Sequence, residues 1–533
     1  MAQMNAVEST ASAPARLTHR EVLIVFSGLM LGMLLASLDQ TVVSTALPTI
    51  VGDLGGLDHL SWVITAYLLT STATVPLYGK LSDYYGRKLM FQTGIVVFVA
   101  GSLLCAAANS MAILIVARGI QGAGAGGLIS MAMAIIGDIL SPRERGRYQG
   151  YTGSVFAFSS VAGPLVGGFF TDSLTWRWVF WMNLPLGLAA LVVTTIVLKL
   201  PVHRRQHSID YIGAALLVAG VSSLLLVATW GGSQYSWGST TIMVLGAGGV
   251  VLIVAFILQE LRIAEPILPL RLFRERTLGV GSMIMFIVGL GMFGALAFLP
   301  LYLQVVKGVS ATESGLLMVP LMVPLIVSSV GSGRIISDTG RYRVFPIAGT
   351  FLMAIGLFLL SRLDAQSPFY YAAIGMAVLG AGLGMTVSVI TLAVQNAVEY
   401  QHLGTATAAT NFFRSMGGAF GVAIAGAIVN NRLDYWLPRL VSKEDLHGID
   451  AAALTASPEQ LRQLPPAVLN GVTESFARAV DLAFLVAVPV VLVAFGLTWL
   501  LREAPLRETA HVSVGEQAPG EESEATAHPE PLV

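Results

Sequence analysis

This chain carries little charge. Lys, Arg, Asp and Glu make up 11% of its 533 residues, against about a quarter in soluble globular proteins. That excludes a soluble enzyme with an added anchor. Cysteine is nearly absent: Cys105 stands alone inside an apolar run, which excludes an internal disulfide and a cysteine metal cluster. There is no Walker A sequence, no stretch for an ATPase or other soluble catalytic domain, and no nucleophile–base constellation. The 30 basic and 31 acidic residues nearly cancel to a net charge of -1, so nothing points to nucleic acid. The polar stretch up to Arg20 lacks the apolar core and cleavage site of a signal peptide, so the first apolar helix is expected to stay. No metal and no cofactor is expected.

Apolar residues make up 55% of the chain. They fall into fourteen segments, near 22–48, 60–79, 89–108, 111–139, 148–172, 178–199, 211–230, 240–261, 277–303, 314–337, 344–362, 369–395, 404–430 and 478–501. Each is about the 20 residues that a bilayer-spanning helix needs, which predicts an all-α polytopic membrane protein. The bases alternate with the segments. Arg16 and Arg20, Lys80 to Lys88, Arg143 to Arg147, Lys199 to Arg205, Arg262 to Arg276, Arg341 and Arg343, and Arg502 and Arg507 occupy alternate loops. Arg177, Lys307 and Arg362 stand alone on the other side. By the positive-inside rule both termini are expected in the cytoplasm. The loop Asn396 to Leu403 breaks the pattern, since it has neither Lys nor Arg. Residues 431–475 read as one long external connection. There Ser457-Pro458-Glu459 is a helix-start signal, and Val468, Val472 and Phe476 share a helical face leading into the last span. The Glu-, Ala- and Pro-rich tail after Pro505 reads as disordered.

Asp39 is the organising residue. It lies well past the midpoint of the first apolar run, where a carboxylate cannot face lipid. It must face a bundle interior or a wet cavity, where its proton affinity is tunable. Asp138, Asp172, Glu260 and Asp481 lie closer to span ends. Arg118, seven residues into the fourth span, shares the outer half of the membrane with Asp39 and can pair with it. Arg414, mid-span in the thirteenth segment, is open between a structural role and pairing with a substrate anion, a carbonyl or a remote carboxylate. Gly150, Gly153, Ala157, Ser160, Gly163 and Gly167 give the fifth span a small-residue face for close helix approach, and Pro164 bends it. Gly119, Gly122, Gly126 and Ser130 do the same for the fourth. Gly79-Lys80-Leu81-Ser82-Asp83-Tyr84-Tyr85-Gly86-Arg87-Lys88 follows the second span, and a related Gly333–Arg341 stretch with Asp338, Gly340 and Arg341 follows the tenth. Two related halves around a site are a common transporter plan. A charged network in such loops can latch helices in one state and release them in another.

At these motifs the chain resembles the major facilitator superfamily. Gly79–Lys88 is similar to its loop between helices two and three, and Arg118-Gly119-Ile120-Gln121-Gly122-Ala123-Gly124 to its fourth-helix Arg motif. Gly163-Pro164-Leu165-Val166-Gly167-Gly168 is similar to its antiport motif. Leu38-Asp39 with Ala46-Leu47-Pro48, Trp176-Arg177-Trp178 with Asn183-Leu184-Pro185-Leu186-Gly187, and Phe412-Phe413-Arg414 with Gly417-Gly418 resemble the fourteen-helix drug:proton antiporter branch. Ser44 stands where that branch has Asn, and Ser159 where the antiport motif starts with Gly. The resemblance covers about 20–500. It implies two six-helix bundles, 21–200 and 266–501, with two extra helices in 201–265, a cytoplasmic N-terminal tail 1–20 and a cytoplasmic tail 502–533.

The resulting expectation is a proton-coupled secondary transporter of the inner or plasma membrane that exports amphipathic small molecules, drugs or antibiotics among them, by alternating access. Asp39 and Arg118 couple the proton. Gly79, Asp83, Gly86, Arg87, Lys88, Asp338, Gly340 and Arg341 form the cytoplasmic gate, and Gly163, Pro164, Gly167 and Gly168 the antiport helix. Substrate-cavity candidates are Trp62, Tyr67, Gln121, Tyr151, Phe286, Phe293, Met318, Phe413 and Arg414, with Met292, Phe298 and Met322 beside them. A carrier of one metabolite, siderophore or vitamin on the same fold is the alternative, and the direction of transport separates the two. A membrane enzyme or sensor on this scaffold would show no substrate flux. The partners are the small molecule and the lipid bilayer. A monomer is compatible with the sequence, which fixes neither the oligomeric state nor the substrate.

Overall fold

A computed structural model describes residues 19–54, 60–140, 142–198, 210–232, 234–263, 265–399, 402–441 and 465–506. The helix-start signal at Ser457 and the tail beyond 506 lie outside them. The described chain is helical: α1 (His19–Leu54), α2 (Leu60–Tyr85), α3 (Arg87–Ala106), α4 (Met111–Ile139), α5 (Pro142–Ser173), α6 (Trp178–Trp181), α7 (Asn183–Val197), α8 (Tyr211–Trp230), α9 (Thr240–Arg262), α10 (Arg276–Val306), α11 (Ala311–Leu316), α12 (Val319–Thr339), α13 (Val344–Leu360), α14 (Phe369–Ala397), α15 (Leu403–Leu440) and α16 (Pro466–Thr498). Among the described residues the β contacts amount to one bridge, Gly231 with Tyr235.

All fourteen apolar segments fall on helices, with the sixth split into α6–α7 and the tenth into α11–α12. Among the described residues, eleven helical stretches are long and apolar enough to cross a membrane, and Val344–Leu360 is a shorter apolar helix. The remaining two, α2 and α5, carry too many polar residues to read as lipid-facing. They are the helices that pack across the molecule, α2 against α15 and α5 against α12. A helix shielded from lipid by protein needs less apolar surface.

Apolar cores fill both halves, two clusters among α1–α7 and a large one among α10–α16. Close crossings depend on glycine. A Cβ at Gly421 would strike Leu290 of α10, and one at Gly122 would strike the backbone of Tyr67 in α2. In lipid, where hydrophobic driving force between helices is weak, such backbone approach is the main source of packing. A further apolar cluster joins the halves. Ala73 and Val75 of α2, Leu217 and Val221 of α8, Phe256 of α9 and Ala408 and Phe412 of α15 enclose Ile267 and Leu268 of the α9–α10 connection. Glu260 holds that connection in place. Its Oε1 accepts from the Ile267 N–H at 3.1 Å and its Oε2 from the Leu268 N–H at 3.0 Å.

The last helix begins at Pro466, earlier than the apolar pattern suggests. Val468, Val472 and Phe476 are buried members of its core face. Asp481 therefore lies about 26 Å from the Thr498 end, near the far edge of a hydrocarbon layer about 30 Å thick.

Candidate functional site

Asp39 is wholly buried, and Arg118 is 1% exposed. Arg118 Nη1 donates to Asp39 Oδ2 at 2.6 Å. Gln121 Nε2 and Asn183 Nδ2 each donate to Asp39 Oδ1 at 2.8 Å. Ser102 Oγ accepts from the same two amides, at 2.7 and 3.2 Å. Arg118 also donates to Gln121 Oε1 at 2.6 Å and through Nε to the Val63 carbonyl at 3.2 Å. Its guanidinium lies 4.2 Å over the Tyr67 ring, whose hydroxyl donates to the Ala36 carbonyl. Five helices thus converge on one carboxylate.

Among the described residues every side-chain partner of Asp39 is a hydrogen-bond donor. That set satisfies a carboxylate and gives no acceptor to a carboxylic acid. Adding a proton must break or turn over at least one contact. Asn183 offers the means, because its Oδ1 is buried with no partner.

Next to Asp39 on α1, Ser37 Oγ bonds Ser159 Oγ at 2.6 Å, and Thr41 Oγ1 donates to the Ser159 carbonyl at 3.0 Å. Gly163 and Gly167 of α5 admit Thr41 and Thr45 where a Cβ would collide. Gly168 has open space on that side. The serine at 159, in place of glycine, is a hydrogen-bonding contact between α1 and α5. Helix α5 in turn packs on α12 of the other half, so the charge pair is two helices from the seam.

At the base-rich end the halves are joined. Asp83 Oδ2 accepts from the Thr405 N–H at 3.2 Å and from the Thr405 hydroxyl. Thr405 is the third residue of α15, so Asp83 sits at a helix N-terminus, where orphan amides and the helix dipole favour an anion. Arg87 donates to Asp83 and Ser82, and through Nε to Asp138 Oδ2 at 3.0 Å. Gly86 takes φ 92°, a left-handed turn that favours glycine. Gly79 meets Ala408 where its Cβ would be. Lys88 points elsewhere and donates to the Thr195 carbonyl of α7 at 2.8 Å. Gln395 adds a second junction, with Nε2 donating to the Met133 carbonyl at 3.2 Å.

A sequence profile of the Major Facilitator Superfamily matches residues 29–422. The chain belongs to the major facilitator superfamily. The multidrug transporter protein MdtP of Bacillus subtilis is 41% identical over 409 residues, 77% of this chain and 75% of that one. Multidrug resistance protein 3 of the same organism is 34% identical over 498 residues, 92% and 97% of the two chains. An uncharacterized MFS-type transporter of Mycobacterium tuberculosis, Rv1877, is 40% identical over 485 residues, 91% and 70%. The crystal structure of the human organic anion transporter MFSD10 shares the fold at 15% identity and TM-score 0.59, covering 90% of this chain and all of that one. This is a transporter of the superfamily, with efflux pumps among its relatives.

In this superfamily member the second-half loop behaves unlike the first. Gly340 caps α12 in a left-handed conformation, φ 73°, and Asp338 and Arg341 are exposed. The loop is tied to the end of α16. Tyr342 accepts the Ala504 N–H and donates to the Arg502 carbonyl, and Arg343 donates to the Trp499 carbonyl. At the opposite end of the bundle, Asp53 accepts from the Trp176 indole at 2.8 Å and from Arg177 at 3.2 Å. The indole first, then the guanidinium, hold its carboxyl below the usual range.

The cavity candidates divide. Tyr67 and Gln121 belong to the Asp39 cluster. Met318 is buried in the core of the second half. Trp62 packs edge-on to Trp230 of α8, ring centroids 4.7 Å apart. Phe286, Phe293 and Phe413 are half-buried on α10 and α15, and Arg414 is buried beside them. The side chain of Tyr151 lies outside the described set. An apolar cavity of about 70 Å³ between α10, α13, α15 and α16 is walled by Leu290, Leu357, Gly421 and Phe484 among others, and by none of these candidates. Sequence reasoning missed Ser102, Asn183, Asp138 and Thr405 as functional. Asn183 carried a signal, because it lies in a motif shared with the antiporter branch.

Proposed function

We propose that this protein exports amphipathic small molecules, drugs or antibiotics among them, in exchange for protons. It performs no catalysis and uses no cofactor beyond the proton gradient. The observation that carries the reading is the buried Asp39 carboxylate ringed by donors: loading a proton there requires the cluster to rearrange. Asn183 then turns its amide so that Oδ1 accepts the new O–H. The disturbance passes through Ser37, Thr41 and α5 to the seam with α12. The latch formed by Asp83, Arg87 and Thr405 closes the cytoplasmic end, and the loop of Asp338, Gly340 and Arg341 completes the gate at the same end without joining the two halves. Both termini are cytoplasmic, the membrane is the inner or plasma membrane, and one chain is the working unit. The bundles 21–200 and 266–501 rock about a central path lined by Trp62, Phe286, Phe293 and Phe413. Relatives named as efflux pumps, FUS6 of Gibberella moniliformis and MMF1 of Mycosarcoma maydis, support the efflux direction. The test is transport in vesicles with an imposed proton gradient, with and without an uncoupler; flux indifferent to the uncoupler would remove the proton from the mechanism.

Two expected outcomes follow from the site. Asn183→Leu removes one donor to Asp39 and, among the described residues, the one unpartnered side-chain acceptor beside it. A lost buried hydrogen bond costs about 1–3 kcal/mol, so uphill export should fall roughly tenfold or more. Substrate binding should be unchanged, and equal export by the variant would exclude the amide turn.

The second outcome concerns charge. Asp39 is the carboxylate at the centre of the first bundle, and Arg118 already neutralises it. A divalent cation would need a further acid there, since desolvating a charge without a partner costs several kcal/mol. Asp481 lies near the membrane edge on α16. Neutral and singly charged compounds should therefore outcompete matched divalent cations in the same vesicles. Equal export of divalent cations would show that another acid reaches the substrate path.

A further inference from the structure

Arg414 lies eleven residues beyond Leu403, the first residue of α15, about 16 Å along the helix and so near mid-membrane. It is 8% exposed. Among the described residues its guanidinium makes one hydrogen bond, from Nη2 to Asn411 Oδ1 at 3.3 Å, its Nε is enclosed without an acceptor, and no acidic side chain forms an ion pair with it. Arg118 makes the contrast plain: it is equally deep in protein but has a carboxylate, an amide oxygen, a carbonyl and an aromatic ring around it. A guanidinium has five N–H donors in a planar fork. Burying one with a single long bond is costly, and nothing in the described protein offsets it.

The surroundings are aromatic. The Phe293 ring of α10 lies against Gly418 and the Phe286 backbone against Gly417, within about one turn of Arg414. Phe413 stacks edge-on with Phe412 and with Phe273, and Phe286 packs with Phe420. These rings supply apolar surface but no charge and no acceptor.

We propose that Arg414 receives the anionic group of the exported molecule, a carboxylate or a comparable singly charged anion on an aromatic amphiphile. This rests on the export reading and names the substrate chemistry that its second half accepts. The fork geometry suits a carboxylate, which takes two parallel N–H bonds. The rings on α10 and α15 hold the aromatic body. Among the described residues of α10 and α15, Arg414 is the one buried cation without an acidic partner, so a dianion gains no further partner there.

The test is equilibrium binding to the purified full-length chain in neutral detergent, with no proton gradient. The probes share one skeleton: 4-(1-naphthyl)butyrate, its amide and the corresponding amine, read by tryptophan fluorescence quenching. The carboxylate should bind at least about tenfold more tightly than the amide. R414Q should abolish that preference while leaving the amide Kd within about twofold, and R414K should keep part of it. Equal binding of carboxylate and amide by the unmodified protein overturns the proposal, as does no carboxylate binding up to millimolar concentration. A preference that survives in R414Q also overturns it. The first two outcomes need no variant to fold. Because no gradient is applied, failure here is distinct from failure of proton coupling, which is read at Asp39.

Discussion

Asp39→Asn is expected to abolish uphill, proton-driven export while the protein still inserts and folds. The carboxylate is the group that gains and loses the proton, and asparagine matches its shape without that chemistry. The change is not silent for the cluster. Gln121 and Asn183 meet Oδ1 and Arg118 meets Oδ2, all as donors. An asparagine offers one acceptor oxygen, so its NH₂ must face a donor on one side. Breaking a buried ion pair by deleting one partner costs about 3–5 kcal/mol. The isosteric amide retains part of the contact set, so folding should survive with a lowered Tm. The measurement is export against a gradient in everted vesicles at matched protein level, beside facilitated exchange of the same compound without a gradient. Uphill export should vanish and exchange should persist. Active export by the variant at normal expression would remove Asp39 from the coupling step.

The second large effect is expected at the junction of the halves. Asp83→Asn keeps the shape but removes the charge that faces Arg87 and the first amides of α15. Charge-assisted bonds are worth about twice neutral ones. The closed junction should therefore weaken by about 1–3 kcal/mol, a roughly 5- to 100-fold shift towards opening at this end. Arg87→Ala goes further, since Arg87 also meets Asp138 and Ser82. Transport should slow because one arm of the cycle is disfavoured, and substrate binding should remain. Binding and flux measured in parallel decide the matter: lost binding with normal turnover would place Asp83 in the substrate site, outside the junction.

The spans, the fold class and the Asp39–Arg118 pair were legible in the sequence. Bilayer thickness sets helix length, and a carboxylate and a guanidinium at like depth need each other. Gln121, expected at the substrate cavity, also donates to Asp39, a contact that its helix face alone did not reveal. Asn183 and Ser102 come from helices whose rotation only packing sets. Thr405 and Asp138 were hidden differently: each meets Asp83 or Arg87 across a gap of many residues, and neither carries a mark of its own. One clue was on view. The loop Asn396–Leu403, which breaks the alternation of bases, leads into the helix end that docks on Asp83 and Arg87, where further positive charge would repel. The length of α16 was misjudged because Pro465 and the residues after it are less apolar than the rest of the helix.

The hold of Glu260 on Ile267 and Leu268 also bears on how the molecule divides into moving parts. By sequence the chain counts as six helices, two extra and six more. The clamp ties the start of the α9–α10 connection back onto α9, and α8 lies along α9. Helix α8 also touches α2 of the first half and α15 of the second, so the extra pair spans the seam and belongs to neither half alone.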